Sequence, residues 1–512
     1  MSFSLYAGRT FAKYCLALSA GIVSGALLAL ISIYAAVASA VLVTAGATFF
    51  LVFKRRGFSL PAAFAAGALI FILFWTVFLL PVARSGGARE FYGCVTKNGE
   101  SSLCVYACGG SIPPLTKLTV RFCETFTAEY DDFSPGEIYF FSAVIDEPEA
   151  YTEYYDGRFL TGELYDAQQS PVKLHVVGIL CAVREKCNEM LGKHVVSSSS
   201  GETQLAKAMT LAQQDELGDE IKNAFRSTGL SHMLALSGLH FSIVSALVWW
   251  LLKLLPVSIH TRCAITAFVL TLYLLLIGSS PSVVRAAVFA YLFLLARAIR
   301  RPFDSLTALS AALALILIFN PCAIFSLSLE LTFLAALGTL YSLSRSERVR
   351  RSRLLSASIP GKAAVWVSTV CSMSFYAVIF TLPVTVPVFE SFCPFSPLTN
   401  LIAAIPCSLF LNLTMLTLVL SFLLPLAAPA VGFAAGIAGS VLIYIVKAAA
   451  SLNFLTLEAG TPYAKASVCL LALSLVFAVF TTGEKSRKRA RRFLYISSAL
   501  LLCCCVVSTV LS

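Results

Sequence analysis

"SHMLALSGLHFSIVSALVWWLLKLL", residues 231–255, packs two histidines, two serines and a glycine into its first eleven positions and then turns apolar. The stretch is long enough to cross a hydrocarbon core of about 30 Å as a helix, which takes roughly 20 residues. Strands of a membrane barrel would be shorter and would alternate. Reading it as a span whose outer end carries polar groups decides the fold class, because similar runs recur along the chain.

The chain has 512 residues, 58% of them hydrophobic and 13% charged. Soluble proteins carry roughly 25% charge, so the composition excludes that class. We expect a polytopic α-helical membrane protein of thirteen segments: 11–33, 34–53, 61–81, 232–255, 263–279, 283–299, 304–320, 326–343, 364–384, 399–424, 430–451, 466–482 and 493–511. The first resembles a signal peptide, with Arg9 and Lys13 before it and Ala38-Ser39-Ala40 behind. Its apolar character continues to Phe53, so two anchored helices are expected instead.

Basic residues near helix ends stay on the cytoplasmic side. Lys54 to Arg56, Arg297 with Arg300 and Arg301, Arg345 to Arg353, and Lys485 to Arg492 all fall on one side if each segment crosses once. This parity puts the N-terminus in the cytoplasm, and residues 82–230 and the C-terminus outside. Residues 82–230 hold 13 basic and 21 acidic residues, whereas the rest of the chain holds 25 and 6. The boundaries expected are therefore 1–81 for N-terminal membrane helices, 82–200 for an external β domain, 201–231 for an amphipathic helix and 232–512 for the main membrane domain.

Short alternating runs mark the β domain: "LTVRF" from Leu118, "EIYFFSAVI" from Glu137, "RFLTGEL" from Arg158 and "VKLHVVGIL" from Val172. Five or so strands separated by turn residues suggest a small barrel or sandwich. Cys94, Cys104, Cys108, Cys123, Cys181 and Cys187 lie in this block, and an even number of cysteines on the oxidising side favours disulfides. Beyond it, Leu217, Ile221, Ala224 and Phe225 share one helical face. That face rests either on the outer membrane surface or on the β domain.

The stretch "ELGDEIKNAFRSTGLSHMLALSGLHFSIV" resembles the signature of the ComEC family of competence proteins, at Phe225, Thr228, Gly229, His232, Leu234, Ser237, Gly238 and His240. "SSPSVVRAAVFAYLFLLARAIRRPFDSLTALSAALALILIFNP" is similar to the family's Pro-Ser-x-x-Arg-Ala segment, its basic loop with an Asp, and its Asn-Pro or Asp-Pro helix end. "PFSPLTNLIAAIP" resembles a later segment with an Asn and a Pro, and "SPGEIYFF" and "DGRFLTGELYDAQ" resemble the family's OB-like external domain. Two departures stand out. "SLSLELTF" puts Glu330 and Thr332 where the family usually has Gln and Ser. The metallo-β-lactamase-like domain of many members needs a His-x-His-x-Asp-His cluster, and the five histidines here, His175, His194, His232, His240 and His260, do not form one.

The resemblance implies a channel that conducts single-stranded DNA inward across the inner membrane during natural transformation, surrounded by membrane lipids. It also implies an outer DNA-receptor protein, a cytoplasmic ATPase and a separate nuclease as partners, and a homo-oligomer is among the expectations. The residues assigned to the path are His232, Ser237, Gly238 and His240 at the outer mouth, with Pro281, Ser282, Arg285, Glu330, Asn400 and Pro406 along it.

The residues also support plainer readings. Gly238 beside Ser237 suits close helix packing. Ser237 and His240, three apart, match a nucleophile and its base, but no acid or oxyanion site accompanies them. Two histidines eight apart lack a carboxylate to complete a metal site, so neither cofactor nor enzyme activity is expected. Arg285 and Glu330 fall within apolar segments, where a charge at the bilayer centre costs about 2.5–3.5 kcal/mol on insertion scales. They either pair with each other or face a wet cavity where Arg285 meets a phosphate backbone. Breaks at Pro281, Pro321, Pro383 and Pro406 would give the interrupted helices that line polar routes. No GxxxxGK[ST] stretch occurs, so no ATP motor is expected within the chain. The rival reading is a secondary transporter of a small anionic solute, and a weaker one is an intramembrane hydrolase using Ser237.

Overall fold

The computed structural model describes residues 10–31, 59–74, 87–98, 103–112, 117–122, 133, 137–145, 160–173, 175–195, 201–211, 213, 217–234, 238–277, 281–350, 359–451, 457–458, 462–480, 489, 493–498 and 500–501. The chain is mostly helical, with one small barrel and a two-stranded pairing of Ser391–Phe392 with Leu457–Glu458. Phe11–Lys186 with Ser310–Leu329 make up one compact unit, and Cys187–Leu309 with Glu330–Ser512 belong to the other.

The first unit holds helices α1 (Thr10–Ile31) and α2 (Ser59–Phe74) and strands β1 (Gly87–Asn98), β2 (Leu103–Gly110), β3 (Lys117–Phe122), β4 (Glu137–Ile145) and β5 (Leu160–Lys173). Small residues let α1 and α2 touch backbone to backbone. A Cβ on Gly21 would strike the Phe64 carbonyl oxygen, and one on Gly67 the Leu18 carbonyl oxygen. The strands close a barrel in the order β1-β2-β3-β5-β4, all neighbours antiparallel except β3 and β5. Alternation fills its centre: Phe91, Val95, Leu103, Val105, Leu118, Val120, Phe141 and Leu164 are fully buried. Strands β1 and β2 are not among the runs singled out in the sequence.

At β5 the sequence reading is corrected. "VKLHVVGIL" is not a strand throughout, because the chain turns helical at His175 and stays so to His194 in α3. Cys187, Leu191 and Val195 are buried at spacings of four, a helical period that a short apolar run does not reveal by itself. Cys108 is an exposed free thiol and Cys187 a buried one, so the disulfides expected at these two positions are not formed. Cys123 and the side chain of Cys181 lie outside the described residues.

The other unit contains α4 (Gly201–Leu211), α5 (Asp219–Ser227), α6 (Ser231–Leu234), α7 (Gly238–Lys253), α8 (Ile259–Ile277) and α9 (Pro281–Ala298). After α10 (Ser305–Phe319) come α11 (Leu327–Arg350), α12 (Ile359–Phe389), α13 (Ser396–Leu423), α14 (Ala428–Ala450) and α15 (Pro462–Phe480). Helix α8, Val367–Phe389 of α12, α13 and α14 are each long and apolar enough to cross a membrane. In hydrocarbon a helix satisfies its own backbone, which is why apolar runs of this length take that form. Helices α2, α7 and α10 are shorter, at 16, 16 and 15 residues. The segment expected at 34–53 lies outside the described residues, and 493–498 is the start of the last one.

Helix α4 is embedded among these spans, which the polar "SSSSGET" before it does not suggest. Leu205, Ala206 and Met209 pack with Ala403, Cys407 and Phe410 of α13 and with Ala438 and Leu442 of α14. Glu202 at its first turn is buried and accepts a hydrogen bond from Ser440 Oγ of α14 at 2.7 Å. The amphipathic helix is likewise covered by protein. Phe225 of α5 is 0% exposed and joins the same core, as do Leu217, Ile221 and Ala224, while Glu220 pairs with Lys447 of α14 at 2.8 Å. Its apolar face is therefore buried in the helical unit instead of lying on lipid or on the barrel.

Candidate functional site

The motif region begins where α5 stops. Leu230 N–H donates to the Phe225 carbonyl at 2.8 Å and Gly229 N–H to that of Arg226 at 3.1 Å, the paired bonds of a Schellman ending. Gly229 takes φ +73°, and a Cβ there would come within 2.8 Å of the Ser396 Cβ. Glycine is thus required twice over, for the left-handed backbone and for the approach of α13. Thr399 of α13 donates to the Thr228 carbonyl at 3.1 Å.

This clamp brings His232 and Asn400 together. The His232 Nδ1–H donates to the Gly229 carbonyl at 3.3 Å, since that oxygen can only accept. The Asn400 side chain lies near the ring. Asn400 Nδ2 donates to Ser374 Oγ of α12 at 2.7 Å. A polar cluster therefore sits where α6, α13 and α12 meet, with a hydrogen bond between α13 and α12, and Ser374 is a member the sequence reading missed. A serine in an apolar helix is too common to single out.

A second polar locus lies between α9 and α11. Arg285 is only 2% exposed, and its Nη2 donates to Thr332 Oγ1 at 2.6 Å. Glu330 makes no ion pair among the described residues, so the alternative in which it neutralises Arg285 does not hold. Thr332 occupies the place where a serine was expected, and either residue supplies the hydroxyl that the guanidinium uses.

Other expected residues lie apart from these two loci. His240 is 1% exposed on α7, next to Phe241, which packs with α8 and α9. Ser237 lies outside the described residues, and Gly238 is the first residue of α7. Within 232–255 the described residues form the one-turn α6 and, from Gly238 to Lys253, α7, and residues 235–237 lie outside the described residues. Pro281 is the first described residue of α9, with Ser282 next, and Pro321 starts a 3-10 turn after α10, as a break should. Pro383 and Pro406 instead lie inside continuous helices, α12 and α13. Apolar surroundings offer a freed carbonyl no water to turn toward, so the helix persists around such prolines. No group of three or more His, Cys, Asp or Glu suited to a metal occurs among the described residues.

The competence protein family profile matches residues 209–485, from the end of α4 to beyond α15 and including both polar loci. This chain belongs to the competence protein family. It is similar to ComE operon protein 3 of Bacillus subtilis (strain 168), 28% identical over 167 residues, which is 32% of this chain and 22% of that protein. It is also similar to Competence protein ComA of Neisseria gonorrhoeae, 33% identical over 165 residues, 28% of this chain and 23% of the relative. The matches thus span under a quarter of each curated relative. No solved structure matches. Family membership and the apolar helices together make this a membrane protein of the competence type.

Proposed function

We propose that this chain is a multi-pass inner-membrane channel for single-stranded DNA in natural transformation. The observation that carries the reading is Arg285, a buried cation held by Thr332 inside the region matched by the competence family. A strand of DNA carries one negative charge per nucleotide, so its passage needs fixed cationic and hydroxyl groups in an otherwise apolar wall. His232 and Asn400 supply further polar groups on the same reading, with Ser237, Gly238, His240, Pro281, Ser282, Glu330 and Pro406 as the rest of the proposed path.

Several finer elements belong to this proposal. The membrane part crosses thirteen times, with the N-terminus in the cytoplasm and the barrel outside. The barrel is of the OB type, a reading supported by its five strands in the order β1-β2-β3-β5-β4 with β3 and β5 parallel. Domain limits at 81, 200 and 231 follow from charge and hydropathy. An outer DNA receptor, a cytoplasmic ATPase and a nuclease act with it, and it carries out no chemistry of its own.

Deleting the gene and following labelled duplex DNA tests the function. Surface-bound duplex without internal single strands, restored by the intact gene, is the expected result; internal single strands in the deletion strain would refute it. Arg285 equally suits transport of a small anionic solute, and competition of DNA uptake by small anions separates the two.

A further inference from the structure

The outer face of the barrel across β1, β4 and β5 sets exposed aromatic rings among carboxylates. Tyr92 on β1 stands in register with Phe140 on β4, ring centroids 5.1 Å apart, and Tyr92 is 47% exposed. Tyr165, beside a register shift in β5, is 46% exposed and hydrogen-bonds Glu163 at 3.4 Å. Glu90, Glu163 and Asp166 are exposed on the same three strands. Asp166 and Glu90 are both in register with Ser142 of β4, so they form one acidic row beside the Tyr92–Phe140 pair.

The face carries three exposed carboxylates, Glu90, Glu163 and Asp166, against one exposed guanidinium, Arg121 of β3, which stands in register with Glu163. Between Gly87 and Lys173 the chain carries 14 acidic and 6 basic residues. Nine of these acidic residues and one of the basic ones lie in the connecting stretches 123–132 and 146–159. A phosphate backbone or an anionic lipid surface would be repelled. Rings present a negative π-face, and exposed tyrosines ringed by carboxylates match guanidinium and ammonium groups in both shape and sign. We propose that this face docks a basic polypeptide segment of a partner protein, whose Arg and Lys side chains stack on Tyr92 and Tyr165 and pair with Glu90 and Asp166. Such docking is independent of whether the membrane helices conduct DNA.

The test uses the full chain in phosphatidylcholine nanodiscs with three fluorescent probes: an Arg-Gly-Ser repeat peptide, its Glu-Gly-Ser counterpart and oligothymidylate. The arginine peptide alone should bind saturably. Tyr92→Thr with Tyr165→Thr leaves the charge unchanged and should weaken it about tenfold. Glu90→Gln with Asp166→Asn should weaken it similarly and flatten its salt dependence. Both pairs point outward while Phe91 and Phe141 keep the barrel core, so the two variants check each other. No binding of the arginine peptide, equal binding by the tyrosine variant, or oligothymidylate binding that the tyrosine variant loses would each overturn the proposal.

Discussion

Thr399, in the first turn of α13, donates its hydroxyl hydrogen to the carbonyl oxygen of Thr228, 171 residues earlier in the chain. That bond fixes the end of α5 against α13 and places Gly229 directly on Ser396. The consequence is a strict demand at Gly229. Gly229→Ala would combine a left-handed backbone with a blocked approach, and should cost about 1–3 kcal/mol. Thermal unfolding of the purified protein in detergent checks it, with Thr399→Val, which removes the hydroxyl shared by the Thr228 and Ser396 carbonyls, as the milder comparison.

Asn400 should couple energetically to Ser374. Interhelical hydrogen bonds in membranes average about 0.6 kcal/mol by double-mutant cycles, so Asn400→Ala and Ser374→Ala should be less than additive by about that amount. Full additivity would mean that the bridge contributes nothing.

Thiol chemistry separates two of the six cysteines between residues 82 and 230. Cys108 is exposed, whereas burial holds Cys187 in the helical core and pushes its thiol pKa up. A thiolate is the reacting species, so Cys187 should resist maleimide in the native protein and react after denaturation, while Cys108 reacts at once. Mass spectrometry that finds either residue in a disulfide would contradict the free thiols.

Much of the helical architecture was legible in the sequence because apolar length is a direct physical signal. The runs that became α8, α13 and α14 could hardly have been anything else, and "EIYFFSAVI" showed its strand by alternation. Local pattern failed where tertiary partners decide. Helix α4 carries Glu202 and comes after a serine tract, so only the facing Ser440 explains its burial. His175 begins a helix although the preceding residues alternate. At the site, His232, Arg285 and Asn400 were readable as costly polar groups beside or within apolar segments, but Ser374 and the Arg285–Thr332 bond depend on distances that no single stretch encodes.

Topology gives a prediction of its own. Reporter fusions at Ser344 and Gly483 should signal cytoplasm, and one at Asp156 the outside, because basic runs such as 345–353 and 485–492 favour the inner side of a membrane. A cytoplasmic signal at Asp156 would reverse the orientation.

The central claim is that Arg285 serves the passing strand, and uptake of labelled duplex DNA by Arg285 variants at matched membrane abundance tests it most directly. Arg285→Met fills the volume without leaving a buried charge, so the helices should still assemble. The account predicts normal surface binding with internal single strands reduced tenfold or more for Arg285→Met, a smaller loss for Arg285→Lys, and the smallest for Thr332→Val, which keeps the cation. Wild-type levels of internal single strands in Arg285→Met would contradict it.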